Sequence, residues 1–128
     1  MRIAYLDSSC LVAIALEEAD HQGVAAWLYG FDRLYSSNLL EAELRSAMMR
    51  ERVETPADRL LSAITWVFPA RPLTPEYELV LSRGYLRGAE LWHLACALHL
   101  RKELEEVSFL SLDDKQVAVA ASLGFDLG

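Results

Sequence analysis

Short apolar runs alternate with helix-period stripes along this chain, the pattern of buried strands separated by helices. Residues 3–6, IAYL, form the first run, bounded by Asp7 and two serines, and predict a strand buried on both faces. Residues 10–18 are nearly all apolar and predict a helix with Ser8 or Ser9 as its cap. A second helix over residues 23–30 carries Val24, Trp27 and Leu28 at helical spacing and stops at Gly30. Residues 33–36 predict a second strand. Asn38 then opens a helix in which Glu41 has capping-box spacing and Arg45 at i+4, with Leu40, Leu44, Ala47 and Met48 as the inward stripe.

Thr55-Pro56 and Thr74-Pro75 are both helix-start signals. The first helix would bury Leu60, Leu61 and Ile64, and the second would run to about Arg83. Between them residues 67–73, broken by Pro69 and Pro72, predict only a short or edge strand. GYLRG at 84–88 predicts a turn, and residues 89–102 a helix with Leu91, Leu94, Ala95 and Leu98 inward. Residues 107–112, VSFLSL, are the clearest later strand. A helix over 116–123 follows, stopped by Gly124, and residues 125–127 predict a last short strand.

Strands alternating with helices imply a parallel sheet covered on both faces, and ligands bind such sheets at the carboxyl ends of the strands. Asp7 follows the first strand directly, and Asp113 and Asp114 follow the last long one. Glu43 lies about 200° around its helix from Glu41, at the border of the apolar stripe, and has Ala47 rather than a cation at i+4. Glu90 stands in the first turn of its helix, beside the inward stripe. Each acid also has a plain structural reading: Asp7 and Asp114 as helix caps, Glu43 on a solvated face, Glu90 as a partner of the helix dipole. His93 and His99 read as surface or packing residues, because no zinc-spaced pair is present.

Composition changes this picture only at a few points. The 128 residues are 53% hydrophobic and 24% charged, and no apolar run reaches the roughly 18 residues of a membrane span. The amino terminus lacks a basic leader and a small-residue cleavage site, so the expected location is the cytoplasm. Cys10 and Cys96 fall in apolar helical patterns and read as core thiols. A net charge of −7 argues against nonspecific binding to a polyanion, unless cations held by clustered acids reverse the field locally. Four acids from separate segments, brought together, would repel unless a cation holds them. All-oxygen ligands select a hard ion such as Mg²⁺ or Mn²⁺, whose chemistry on phosphodiesters is hydrolysis.

The order of Asp7 in YLDSS, Glu43 in LLEAELRSAMMR, Glu90 in YLRGAELWHLACAL and Asp113 in FLSLDDKQVAVAASLGFDL resembles the PIN domain, in particular the small VapC-type toxins. The resemblance spans essentially the whole chain. It implies one PIN domain over residues 1–128, an α/β fold of three α/β/α layers around a mostly parallel sheet of four to five short strands. It also implies a Mg²⁺- or Mn²⁺-dependent endoribonuclease acting on tRNA or ribosomal RNA, typically a homodimer neutralised by a cognate antitoxin. Carried over by position, Asp7, Glu43, Glu90 and Asp113 would be the catalytic and metal-binding acids, with Ser8, Ser111 and Asp114 as auxiliaries. Glu90 stands where the family usually has aspartate. Two other readings compete: a non-catalytic PIN-like module binding RNA or protein, and a phosphoacceptor receiver domain, whose acidic pair would come early rather than late.

Overall fold

The computed structural model describes residues 1–128. In chain order the elements are β1 (Ile3–Leu6), α1 (Ser8–Ala15), α2 (His21–Tyr29), β2 (Arg33–Ser37), α3 (Leu39–Arg50) and α4 (Asp58–Leu61). They are followed by β3 (Ile64–Val67), α5 (Thr74–Leu81), α6 (Gly88–Leu104), β4 (Ser108–Leu110) and α7 (Asp114–Ser122). The four strands form one all-parallel sheet in the order β3-β2-β1-β4. Parallel pairing through helical crossovers leaves all strand carboxyl ends on one side.

Strand alternation divides the sheet between two cores. Tyr5 of β1 and Phe109 of β4 face a cluster built with Val80, Leu94, Leu98 and Ala120, from α5, α6 and α7. Ala4, Leu6 and Leu110 face the opposite way, onto Cys10, Leu28, Leu40, Leu44 and Leu61 from α1 to α4. The result is the expected three-layer α/β/α architecture. Tyr5 and Phe109 stack nearly parallel at 6.1 Å, so the centre of the sheet is aromatic on one face only. Burial pushes the thiols of Cys10 and Cys96 up to about 12 in pKa, which fits their reading as packing groups. No helix is long and apolar enough to cross a membrane.

Several expected boundaries shift. Ile64 begins β3 instead of closing a helix, because α4 is a single turn and ITWV is β-branched and aromatic. β3 is an edge strand, and the prolines that follow it lie outside the sheet. Asn38 makes no side-chain cap, so the capping box with Glu41 does not form, although Glu41 does bind Arg45 at 2.7 Å. Residues 125–127 contribute one parallel bridge, Ser108 to Asp126, instead of a strand. Gly124, at φ +84°, ends the chain's last helix in a conformation that favours glycine.

One ion cluster ties the proline-rich loop and α5 to α6. Glu76 is 2% exposed and accepts from both Arg71 nitrogens, at 3.0 and 2.7 Å, and from Lys102 at 3.0 Å. Arg71 foremost holds its carboxyl down at about 2. Because this folded value lies below the ordinary one of 4.5, the stabilisation is present above pH 4.5 and is lost as pH falls through about 2. Glu76→Gln is therefore expected to lower unfolding free energy by about 2 kcal/mol at pH 7. Denaturant midpoints measured across this pH range should converge with the native ones in strong acid.

Candidate active site

The carboxyl ends of β1 and β4 point toward the amino ends of α1, α6 and α7, with α3 as a side wall. These elements enclose a cleft of about 510 Å³ lined by Asp7, Ser8, Ser9, Glu43, Arg87, Glu90, His93, Asp113 and Gln116. All four acids singled out from the sequence therefore share one cleft. Ser8 lines it too, whereas Asp114 is exposed and stands outside.

Asp7 is both cap and site residue. It is the N-cap of α1, accepting from Ser9 N at 3.0 Å, so neither Ser8 nor Ser9 takes that role. The Ser9 hydroxyl donates to the same oxygen, Oδ1. The other oxygen, Oδ2, accepts from the Ser111 hydroxyl and from Gln116 Nε2, both at 2.7 Å. Ser9 and Ser111 are in turn fixed by the backbone, since their hydroxyls accept from Leu112 N and Asp113 N. Asp7 is 3% exposed, and burial raises its pKa despite these donors.

Asp113 repeats the arrangement on the neighbouring strand. It is the N-cap of α7, accepting from Lys115 N at 3.2 Å, which displaces the expected cap Asp114 into the first helical turn. Its Oδ2 is buried with no partner, as is Gln116 Oε1. Burial pushes Asp113 up, but the Lys115 N–H that it caps and the Gln116 side chain and N–H bring it net below the ordinary value. Glu90 turns back on its own helix. Oε1 accepts from Arg87 N at 2.9 Å and Oε2 lies 3.5 Å from the Arg87 guanidinium, which makes a capping box at the start of α6. The extra methylene relative to aspartate gives it this reach.

Glu43 has a partner that helix spacing did not reveal. His93 Nε2 lies 2.7 Å from its Oε1, across from α6 to α3. His93 is 2% exposed, and its Nδ1 lies 2.8 Å from the Tyr5 hydroxyl, so the reading of His93 as a surface or merely packing residue is incomplete. Ser9, Arg87, His93 and Gln116 were all missed as site residues. The available signal was i,i+3 spacing, which puts His93 on the face of Glu90 and Gln116 on the face of Asp113.

No three His, Cys, Asp or Glu side chains converge closely enough to form a ready-made metal cluster. The donor set nevertheless suits a hard cation that keeps several waters and takes only one or two carboxylates directly. Asp113 Oδ2 is an unpartnered buried oxygen, and Glu90 lines the same cleft. A second polar opening lies at the far end of the sheet, beside Arg2 and Arg101. Both guanidinium groups there are already spent, on Gly30 O and Leu123 O and on the rings of Phe31 and Phe125.

The PIN domain family model matches residues 4–124, which takes in all four acids and every strand but the first residue of β1. No curated protein matches the chain.

Proposed function

The chain belongs to the PIN-domain family of nuclease modules, and from that premise we propose that it is a metal-dependent endoribonuclease, the toxin of a VapBC-like pair. The observation that carries the reading is the convergence of Asp7, Glu43, Glu90 and Asp113 on one cleft at the strand ends. Asp113, with Glu90 and Asp7 of the same cleft, would hold Mg²⁺ or Mn²⁺. When bound, such an ion supplies charge neutralisation and Lewis-acid polarisation of a phosphodiester.

The protein's own groups would do the rest. The Ser9, Ser111 and Gln116 donors keep Asp7 in one orientation, so no reorganisation is needed when charge enters the cleft. Glu43 spends Oε1 on His93 and keeps Oε2 to take a proton from the attacking water. Arg87, 79% exposed at the rim, is the one arginine lining the cleft and would meet a substrate phosphate. The RNA would be tRNA or ribosomal RNA, and the working unit a homodimer. A cognate antitoxin would neutralise the cleft most directly by inserting an arginine among its carboxylates.

The turned-back Glu90 favours one other reading, a non-catalytic PIN-like module for RNA or protein. Thermal unfolding with Mn²⁺ separates the two. The nuclease reading expects the melting temperature to rise with Mn²⁺, by the equivalent of about 2.7 kcal/mol at one hundred times its Kd, and to return with chelator. An unchanged melting curve at millimolar Mn²⁺ would favour the binding module.

A further inference from the structure

Three of the four cleft acids are tied to backbone N–H groups: Asp7 and Asp113 as helix caps and Glu90 through its capping box. Glu43 alone sits inside a helix with no main-chain bond and no partner on its own helix. Without an outside contact its side chain would sample several rotamers, and ordering it would cost entropy at every turnover.

A buried chain of hydrogen bonds supplies that contact. Ser37 N, at the end of β2, donates to the Tyr5 hydroxyl at 3.2 Å. The hydroxyl lies 2.8 Å from His93 Nδ1, and His93 Nε2 lies 2.7 Å from Glu43 Oε1. The Tyr5 and His93 rings meet edge to face at 5.9 Å, and Trp92 Nε1 pins Ser37 from the other side at 2.9 Å. A carboxylate only accepts, so Nε2 carries the proton toward Glu43. In the tautomer that carries its single proton on Nε2, the ring presents a lone pair at Nδ1, which the Tyr5 hydroxyl meets by donating.

We propose that His93 is a positioning residue for Glu43: Tyr5 fixes the ring so that its Nε2–H clamps one carboxylate oxygen and leaves the other to the cleft. The consequence for turnover rests on the nuclease reading; the hydrogen-bond chain does not.

Three variants test it. His93→Leu fills the space without a donor, His93→Gln returns an N–H toward Glu43, and Tyr5→Phe removes only the hydroxyl. RNA cleavage in Mn²⁺ should show kcat down about 10- to 100-fold in His93→Leu with KM within about threefold, and recovery to within about threefold of native in His93→Gln. The ring ¹⁵N shifts of His93 should show a single Nε2–H tautomer in the native chain and a mixture in Tyr5→Phe. Native turnover by folded His93→Leu, or a His93→Gln no better than His93→Leu, would overturn the proposal. So would mixed tautomers or a doubly protonated ring in the native spectrum. If the native chain cleaves no RNA, the nuclease reading fails by itself and the ¹⁵N spectra alone decide the positioning role.

Discussion

Asp7→Asn should reduce metal-dependent RNA cleavage by at least about 100-fold and at the same time raise the melting temperature of the partner-free chain. The two effects have one origin. Burial raises the Asp7 pKa above its ordinary 3.8, so the folded state holds the proton more tightly than the unfolded chain does. Its contribution to stability is therefore fully present below about pH 3.8 and is lost as pH rises through the folded value. By neutral pH the carboxylate is a cost, one that a bound cation would offset and an amide would not incur. The site accommodates the amide easily. Gln116 Oε1 is unpartnered and its side chain need only flip to accept from the introduced amide, while the Ser111 hydroxyl can rotate. A gain of about 1 kcal/mol would appear as roughly 4 °C. Unfolding scans at pH 4 and pH 7 check the sign, because the advantage of the variant should shrink at the lower pH.

At Asp113 capping and chemistry are separable. Asparagine caps helices as well as aspartate does, so Asp113→Asn should keep the bond to Lys115 N and give up only the modest stability carried by the lowered carboxylate, while lowering cleavage about 100-fold. Asp113→Ala should show the same loss of cleavage plus about 1 kcal/mol of destabilisation from the lost cap. The pair of variants distinguishes an acid whose charge is used at Oδ2 from one retained only to start α7. Full activity in Asp113→Asn would assign it to the cap alone.

The fold and the four acids were legible for the same reason: an apolar run ending in an acid, twice, and long helices with clear stripes. The departures are local in cause. Leu60, Leu61 and Ile64 fit a helical stripe, but the chain turns after α4 and Ile64 pairs with Leu34, a choice made by the sheet rather than by propensity. For Asp7, cap and ligand stood as alternative readings. An N-cap at a strand end faces the crevice by construction, so in this topology Asp7 and Asp113 each cap a helix and line the cleft, and the two readings do not exclude each other.

His93 was the real omission. Its partners, Tyr5 and Glu43, lie 88 and 50 positions away, beyond any local periodicity. The departure at Glu90 also acquires a physical account: the longer side chain closes a capping box with Arg87, so helix start and cleft wall depend on the same carboxylate.

The most direct test of the central claim is cleavage of total small RNA by the purified, partner-free chain, native and Asp7→Asn, in Mg²⁺, in Mn²⁺ and with chelator. Discrete fragments are expected from the native chain with either cation, and none with chelator or from Asp7→Asn. Fragments that persist in chelator, or that Asp7→Asn produces as well as the native chain, would contradict it.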